Sequence, residues 1–222
     1  MLKALALKEL RELAPIAVLA LCAYALIIAR STGVEFFFFQ FWPRSYNEVP
    51  FVTDGFTEMV VLVSACLAVA LAVRQTIGES RRSTWHWLLH RPLTRKQIIF
   101  VKQAAGVVVY LVCGALPILW YAGWAAIPRT HPSPFYWSMT AETWEVWALS
   151  LSLYFAAFLC GLWPARSVGP RWAPVVGMAA AVIFGYAMLS PISTAAVWIL
   201  PLVLIGLATS NIFYICRTRD FS

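Results

Sequence analysis

Six long apolar runs occupy most of this chain, at about residues 14–30, 56–77, 101–127, 145–164, 173–190 and 193–215. A helix needs about 20 mainly apolar residues to cross the hydrocarbon of a bilayer, and each run is of that order. Six of them in 222 residues leave little chain for anything else, so the sequence predicts an all-α integral membrane protein with six transmembrane helices in a single domain, 1–222. Composition agrees: 61% of residues are hydrophobic and 12% charged, against about 25% charged in soluble domains. A water-facing globule has no place for that much apolar surface.

The net charge of +7 raises nucleic acid as a partner, but the placement of the charge points to topology instead. With six spans and both termini on one side, that side receives Lys3, Lys8, Arg11, Arg74, Arg81, Arg82, Arg91, Arg95, Lys96, Lys102, Arg166, Arg171, Arg217 and Arg219. The other side keeps Arg30, Arg44 and Arg129, together with Glu35, Glu48, Asp54, Glu58, Glu142 and Glu145. Basic residues collect on the cytoplasmic side of membrane proteins. The expectation is therefore a multi-pass protein of the plasma or inner membrane with both termini cytoplasmic and no nucleic-acid partner.

The first run is preceded by MLKALALKELRELAP, in which Leu2, Leu5, Leu10 and Leu13 alternate with Lys3, Lys8, Glu9, Arg11 and Glu12. This pattern predicts a short amphipathic interfacial helix ahead of Pro15. Two acidic residues and the lack of a small-residue cleavage site argue against a signal peptide. Outward, 31–55 and 128–144 carry FFFFQFWPRSYNEVPF and PRTHPSPFYWSMTAETW, whose aromatics suit a membrane–water interface. A sharper reading makes these loops a cap over the outer end of a pathway. Gly177, Ala181 and Gly185 recur at intervals of four and let another helix approach closely. Pro117, Pro164, Pro174, Pro191 and Pro201 predict local bends. Cys22, Cys66, Cys113, Cys160 and Cys216 lie scattered in apolar runs, so neither a disulfide framework nor a zinc site is expected.

The segment between the second and third runs, ESRRSTWHWLLHRPLTRKQIIFVKQ, gathers much of the basic charge. Trp85, Leu88 and Leu89 fall at i, i+3 and i+4 on one helical face, with Arg82, His86 and His90 along another. Pro92 stops that helix. Thr94 is placed to cap a new helix that runs through Lys102 into the third span. His86 and His90 have the i, i+4 spacing of a helical zinc pair, but no HExxH glutamate and no third ligand accompany them. The basic cluster suits anionic lipid, while exposed tryptophans and leucines framed by arginines suit a protein partner.

Glu79, Ser83-Thr84, Leu88-Leu89, Arg91-Pro92-Leu93-Thr94-Arg95, Ile98-Ile99 and Lys102 resemble the signature of ABC transporter permeases of the type 2 exporter class. In that family the motif forms a cytoplasmic coupling helix between spans two and three. Lys8-Glu9-Leu10-Arg11 is similar to the family's amphipathic connecting helix. Ser83 stands where the family often has glycine, and the two tryptophans and two histidines are particular to this chain.

The resemblance implies a permease subunit and no enzyme, partnered by a cytoplasmic ABC ATPase and a second permease, either an identical copy or a related chain, in the lipid bilayer. It implies no cofactor on this chain, with ATP and magnesium held by the ATPase. The chain has no G-x-x-x-x-G-K-[ST] loop to cradle phosphates. Carried over, the motif puts Glu79, Arg82, Thr84, Trp85, Leu88, Leu89, Arg91, Pro92 and Arg95 at the ATPase contact, and gives Arg95 and Lys102 the task of stabilising the start of the following helix.

Two other readings stand beside it. A non-transporting anchor or force-relay subunit would use the same docking helix. An intramembrane enzyme would need ionisable groups within its spans, and the only acidic residues there are Glu58 and Glu145, near their outer ends. Ser150, Ser152, Ser193 and Thr194 read as polar contacts between helices.

Overall fold

A computed structural model describes residues 2–33, 49–81, 94–128, 130–131, 133–163 and 168–218; the side chains of 79–81, 168 and 216–218 fall outside that description. Among the described residues the chain is helical, without strands. The helices are α1 (Leu2–Ser31), α2 (Phe56–Arg81), α3 (Arg95–Ala125), α4 (Ala141–Leu162), α5 (Val168–Leu189) and α6 (Thr194–Thr218), with a short 3₁₀ turn, Trp137–Thr140, leading into α4. All six are long and apolar enough to cross a membrane, so the protein is a multi-pass membrane protein, as the six runs predict.

Helix α4 is the centre of the bundle. It packs against α2, α5 and α6, while α1 lies against α3 and α2, and α5 also touches α6. Of its apolar stretch 78% is buried, against 0% for α5. Tyr154, Phe155, Ala156, Ala157, Phe158, Leu159 and Cys160 are all enclosed, the mark of a helix surrounded on every side. Among the described residues α5 has no buried side chain.

Close approach between these helices depends on particular glycines. A Cβ on Gly161 of α4 would overlap the Cβ and hydroxyl of Thr76 on α2. On α3, a Cβ at Gly114 would meet the Trp147 indole, and one at Gly106 would meet the Tyr154 ring. On the small-residue face of α5, Gly185 closes on Leu200, whereas Gly177 has open space beside it.

The N-terminal segment departs from the expectation. No separate interfacial helix precedes Pro15; α1 is one helix from Leu2, with Pro15 inside it. The interior pull is the reason: Leu5, Glu9 and Leu13 are buried at i, i+4 and i+8, so that line of α1 faces neighbouring helices, while Leu2 and Leu10 stay exposed. Ser150 and Ser152 donate to the carbonyls of Val146 (2.8 Å) and Leu149 (2.6 Å) on their own helix, and Ser150 also meets the Tyr110 hydroxyl of α3. Further polar contacts between helices join Tyr24 to Ser64 (2.7 Å) and Thr57 to Thr143 (2.7 Å).

At the end where α2 begins, the described parts of the two aromatic loops pack together. Phe51 stands 5.1 Å from Phe56, 4.9 Å from Tyr121 and 6.3 Å from Phe135. Its φ of 66° is a left-handed conformation, which a bulky residue adopts only when its surroundings over-determine it. Burial under those rings does so.

Asp54 lies beneath the same rings. Its carboxylate accepts from the Phe56 N–H (3.1 Å) and from the Tyr121 hydroxyl, and burial pushes its pKa above the usual carboxylate value. A raised folded-state pKa means the folded protein holds this proton more tightly than the unfolded chain. Its stabilising contribution is complete below the unfolded value of about 4 and is lost as pH rises through the folded pKa. Thermal midpoints measured across that window should fall with pH in the wild type and flatten in Asp54→Asn; parallel curves would show that Asp54 plays no such part.

Candidate functional site

Four buried polar residues from four helices meet at the opposite end. Lys102 Nζ of α3 donates to Glu9 Oε1 of α1 at 2.8 Å. The side chains are 0% and 1% exposed, so water does not reach the pair. Gln75 of α2 donates through Nε2 to the Lys102 carbonyl (2.8 Å) and to Glu9 Oε2 (3.4 Å). Tyr154 of α4 donates its hydroxyl to Gln75 Oε1 at 2.6 Å, with the carbonyls of Lys102 and Gln103 within 3.5 Å and 3.4 Å. Lys8, half turned to solvent, adds a second cation 3.7 Å from Glu9 Oε1 and pairs with Glu12 at 3.4 Å.

The sequence explains why these groups converge. Glu9 continues the buried line of Leu5 and Leu13 on α1. Lys102 follows Ile98 and Ile99, both buried, on α3. Gly106, one turn beyond Lys102, leaves the space that the Tyr154 ring fills. With any larger residue there, the hydroxyl would stand off from Gln75 and from the backbone of α3. Gln103 is also enclosed, and its amide nitrogen has no hydrogen-bond partner among the described residues.

Helix geometry sets the depth of the cluster. At 1.5 Å per residue, Glu9 lies about 33 Å from Ser31, Gln75 about 29 Å from Phe56 and Lys102 about 35 Å from Ala125. The hydrocarbon core is about 30 Å thick. The pair therefore sits at the edge of the hydrocarbon, on the side to which the N-terminus and the 82–93 connection belong. A buried ion pair is costly to form and more costly to break from one side, since the survivor becomes a buried bare charge. Such a site holds the feet of α1, α2, α3 and α4 in one arrangement.

Position 94 behaves as expected. Thr94 Oγ1 accepts from the Gln97 N–H (3.4 Å), and Gln97 Oε1 accepts from the Thr94 N–H (3.1 Å). This capping box starts α3 just after the proline of the connection. Arg95 is exposed in the first turn of α3. Glu79 is in the last turns of α2, its side chain outside the described residues. Arg82, Thr84, Trp85, Leu88, Leu89, Arg91 and Pro92 lie outside the described residues, as do His86 and His90.

Lys102, counted by sequence among the basic residues of the N-terminal side, is fully enclosed and paired across 93 positions of sequence. Its visible signal is a charge seven residues inside an apolar helix, where an ionisable group needs a partner. Nothing local names Glu9 as that partner, and Gln75 and Tyr154 carry no such signal at all. Another basic residue, Arg171 at the start of α5, donates to the carbonyls of Cys160 (3.1 Å) and Gly161 (3.3 Å). It thereby satisfies the carbonyl end of α4, where positive charge is favoured by the helix dipole.

No protein-family model, curated protein or solved structure matches the chain.

Proposed function

We propose that this chain is the membrane-spanning subunit of an ATP-driven ABC transporter of exporter type, docking a separate cytoplasmic ATPase through the 79–95 segment. Two permease copies, or this chain and a related one, line the pathway, with both termini cytoplasmic in the plasma or inner membrane. ATP and magnesium belong to the ATPase. ATP-driven closure of the motor presses on the 82–93 connection and tilts α2 and α3, a rigid-body transition driven by binding elsewhere.

One observation supports this reading above the others. The two sequence blocks that resemble the permease family, Lys8-Glu9-Leu10-Arg11 and the motif ending at Lys102, are joined by the Glu9–Lys102 ion pair. A push delivered between Arg81 and Thr94 enters a helix foot already locked to α1, α2 and α4, so it moves the bundle as a unit rather than bending one helix. A connection that merely spans two helices has no use for a buried lock at its exit.

The test is capture of the tagged full chain from its native membranes. An ATPase bearing a G-x-x-x-x-G-K-[ST] loop should co-purify, and Glu79→Ala with Leu88→Asp should remove it. Retention of the ATPase by the double variant would refute docking through this segment. A cysteine at position 86 should be labelled from the cytoplasm only; labelling from outside would overturn the orientation. Flux coupled to ATP hydrolysis in reconstituted vesicles separates a transporter from a force-relay anchor, which would hydrolyse ATP without moving solute.

A further inference from the structure

Outside the ion-pair cluster, α1 and α3 do not close against each other on the membrane side. Between them lies an open groove of about 370 Å³, walled by Ala6 and Leu10 of α1 and by Phe100, Val101 and Ala104 of α3, with Lys3 at its rim. Phe100 is 64% exposed. Lys96 stands one turn before Phe100 on the same face of α3, also exposed. None of the residues lining the groove is acidic. The acids nearest in sequence are already neutralised, Glu9 by Lys102 and Glu12 by Lys8.

We infer that this groove binds one anionic phospholipid from the leaflet on the N-terminal side, its acyl chain lying between α1 and α3 and its phosphate held by Lys3 and Lys96. The argument is one of complementarity. An apolar trough opening to hydrocarbon takes an acyl chain. Lysine stems lie along apolar surface while their ammonium groups reach the headgroup level, and the trough crosses the height of the ion pair, where that level begins, with Leu2 and Lys3 before Glu9 and Ala104 and Val108 beyond Lys102. Basic pockets between membrane helices favour anionic headgroups. A zwitterionic lipid would fill the trough equally well but would leave both lysines without a net counter-charge. The inference needs only the bundle described above and stands whether or not an ATPase docks at 79–95.

The experiment is native mass spectrometry of the full chain released from bilayer discs made of equal parts phosphatidylglycerol and phosphatidylcholine. The wild type should retain phosphatidylglycerol preferentially. Lys3→Gln with Lys96→Gln, both on the exposed surface, should lower its retention by about fivefold for each lysine and leave phosphatidylcholine unchanged. Ala104→Trp, which fills the trough, should reduce retention of both lipids while the thermal midpoint stays near the wild-type value. Equal retention of the two lipids by the wild type, or no effect of the lysine pair, would overturn the site. So would an Ala104→Trp variant that dissociates a dimer without changing bound lipid, because a second copy would then occupy the groove.

Discussion

Lys102→Met is expected to destabilise the protein more than any other single side-chain change at the candidate site. The substitution roughly keeps the length of the side chain but strips Glu9 of its nearer, fully enclosed cation, leaving only the half-exposed Lys8 at 3.7 Å among its described ion pairs. Removing one partner of a buried pair costs about 3–5 kcal/mol, which in a domain of this size lowers the thermal midpoint by roughly 10 °C. Glu9→Leu should cost a similar amount, since it removes the carboxylate that the enclosed ammonium group faces. The double variant Glu9→Leu/Lys102→Met should recover most of the loss, because replacing both charges by apolar groups is often neutral. Thermal unfolding of the four proteins in one detergent measures this directly. Additive losses in the double variant would mean that the two residues act separately. Under the proposed function the double variant also separates stability from force transfer: it should fold and bind the ATPase, yet couple hydrolysis to transport poorly, having lost the lock that joins α3 to α1.

Gly161→Ala should be nearly as damaging despite adding a single methyl group. The new Cβ would overlap the Cβ of Thr76, an atom fixed to its backbone, so no rotamer change relieves the clash and α2 must move away from α4. Overpacking of this kind costs about 1–3 kcal/mol, and the upper end applies where two backbones have to separate. Adding Thr76→Ala should not rescue the variant, because the obstructing Cβ remains. Adding Thr76→Gly should, less the cost of about 1 kcal/mol that glycine imposes inside a helix. Rescue by Thr76→Ala would place the conflict at the hydroxyl instead. Gly106→Ala makes a useful comparison: there the obstruction is the Tyr154 ring, which can yield only by giving up its bond to Gln75, so the loss should shrink once Tyr154 is replaced by phenylalanine.

Reading the sequence located the helices well and their neighbours poorly. Hydrophobic length marked all six spans, and the Thr94–Gln97 pair announced the start of α3 because capping is a local interaction. Glu9 was visible as a charge of an amphipathic N-terminal helix, and Lys102 as an inward basic residue at the end of the permease-like motif. Their pairing joins positions 93 apart, and no local pattern specifies such a partner. The same limit applies to Gln75 and Tyr154, whose roles depend on which helix faces which.

The amino-acid sequence by itself determined that the chain crosses a membrane with six helices, since backbone groups in hydrocarbon must be satisfied within each segment and about 20 apolar residues suffice. It did not determine which helix lies at the centre. The window of α4 has a mean hydropathy of 1.6 and is 78% buried, while that of α5 reaches 1.8 and is 0% buried. In water, burial and hydrophobicity rise together; in lipid the surroundings are as apolar as the interior, so hydropathy no longer tells inside from outside. What decides is shape and polarity at contact: Gly161 against Thr76, Gly106 under Tyr154, Lys102 on Glu9. Those meetings exist only once the helices are packed, and only the tertiary structure supplies them.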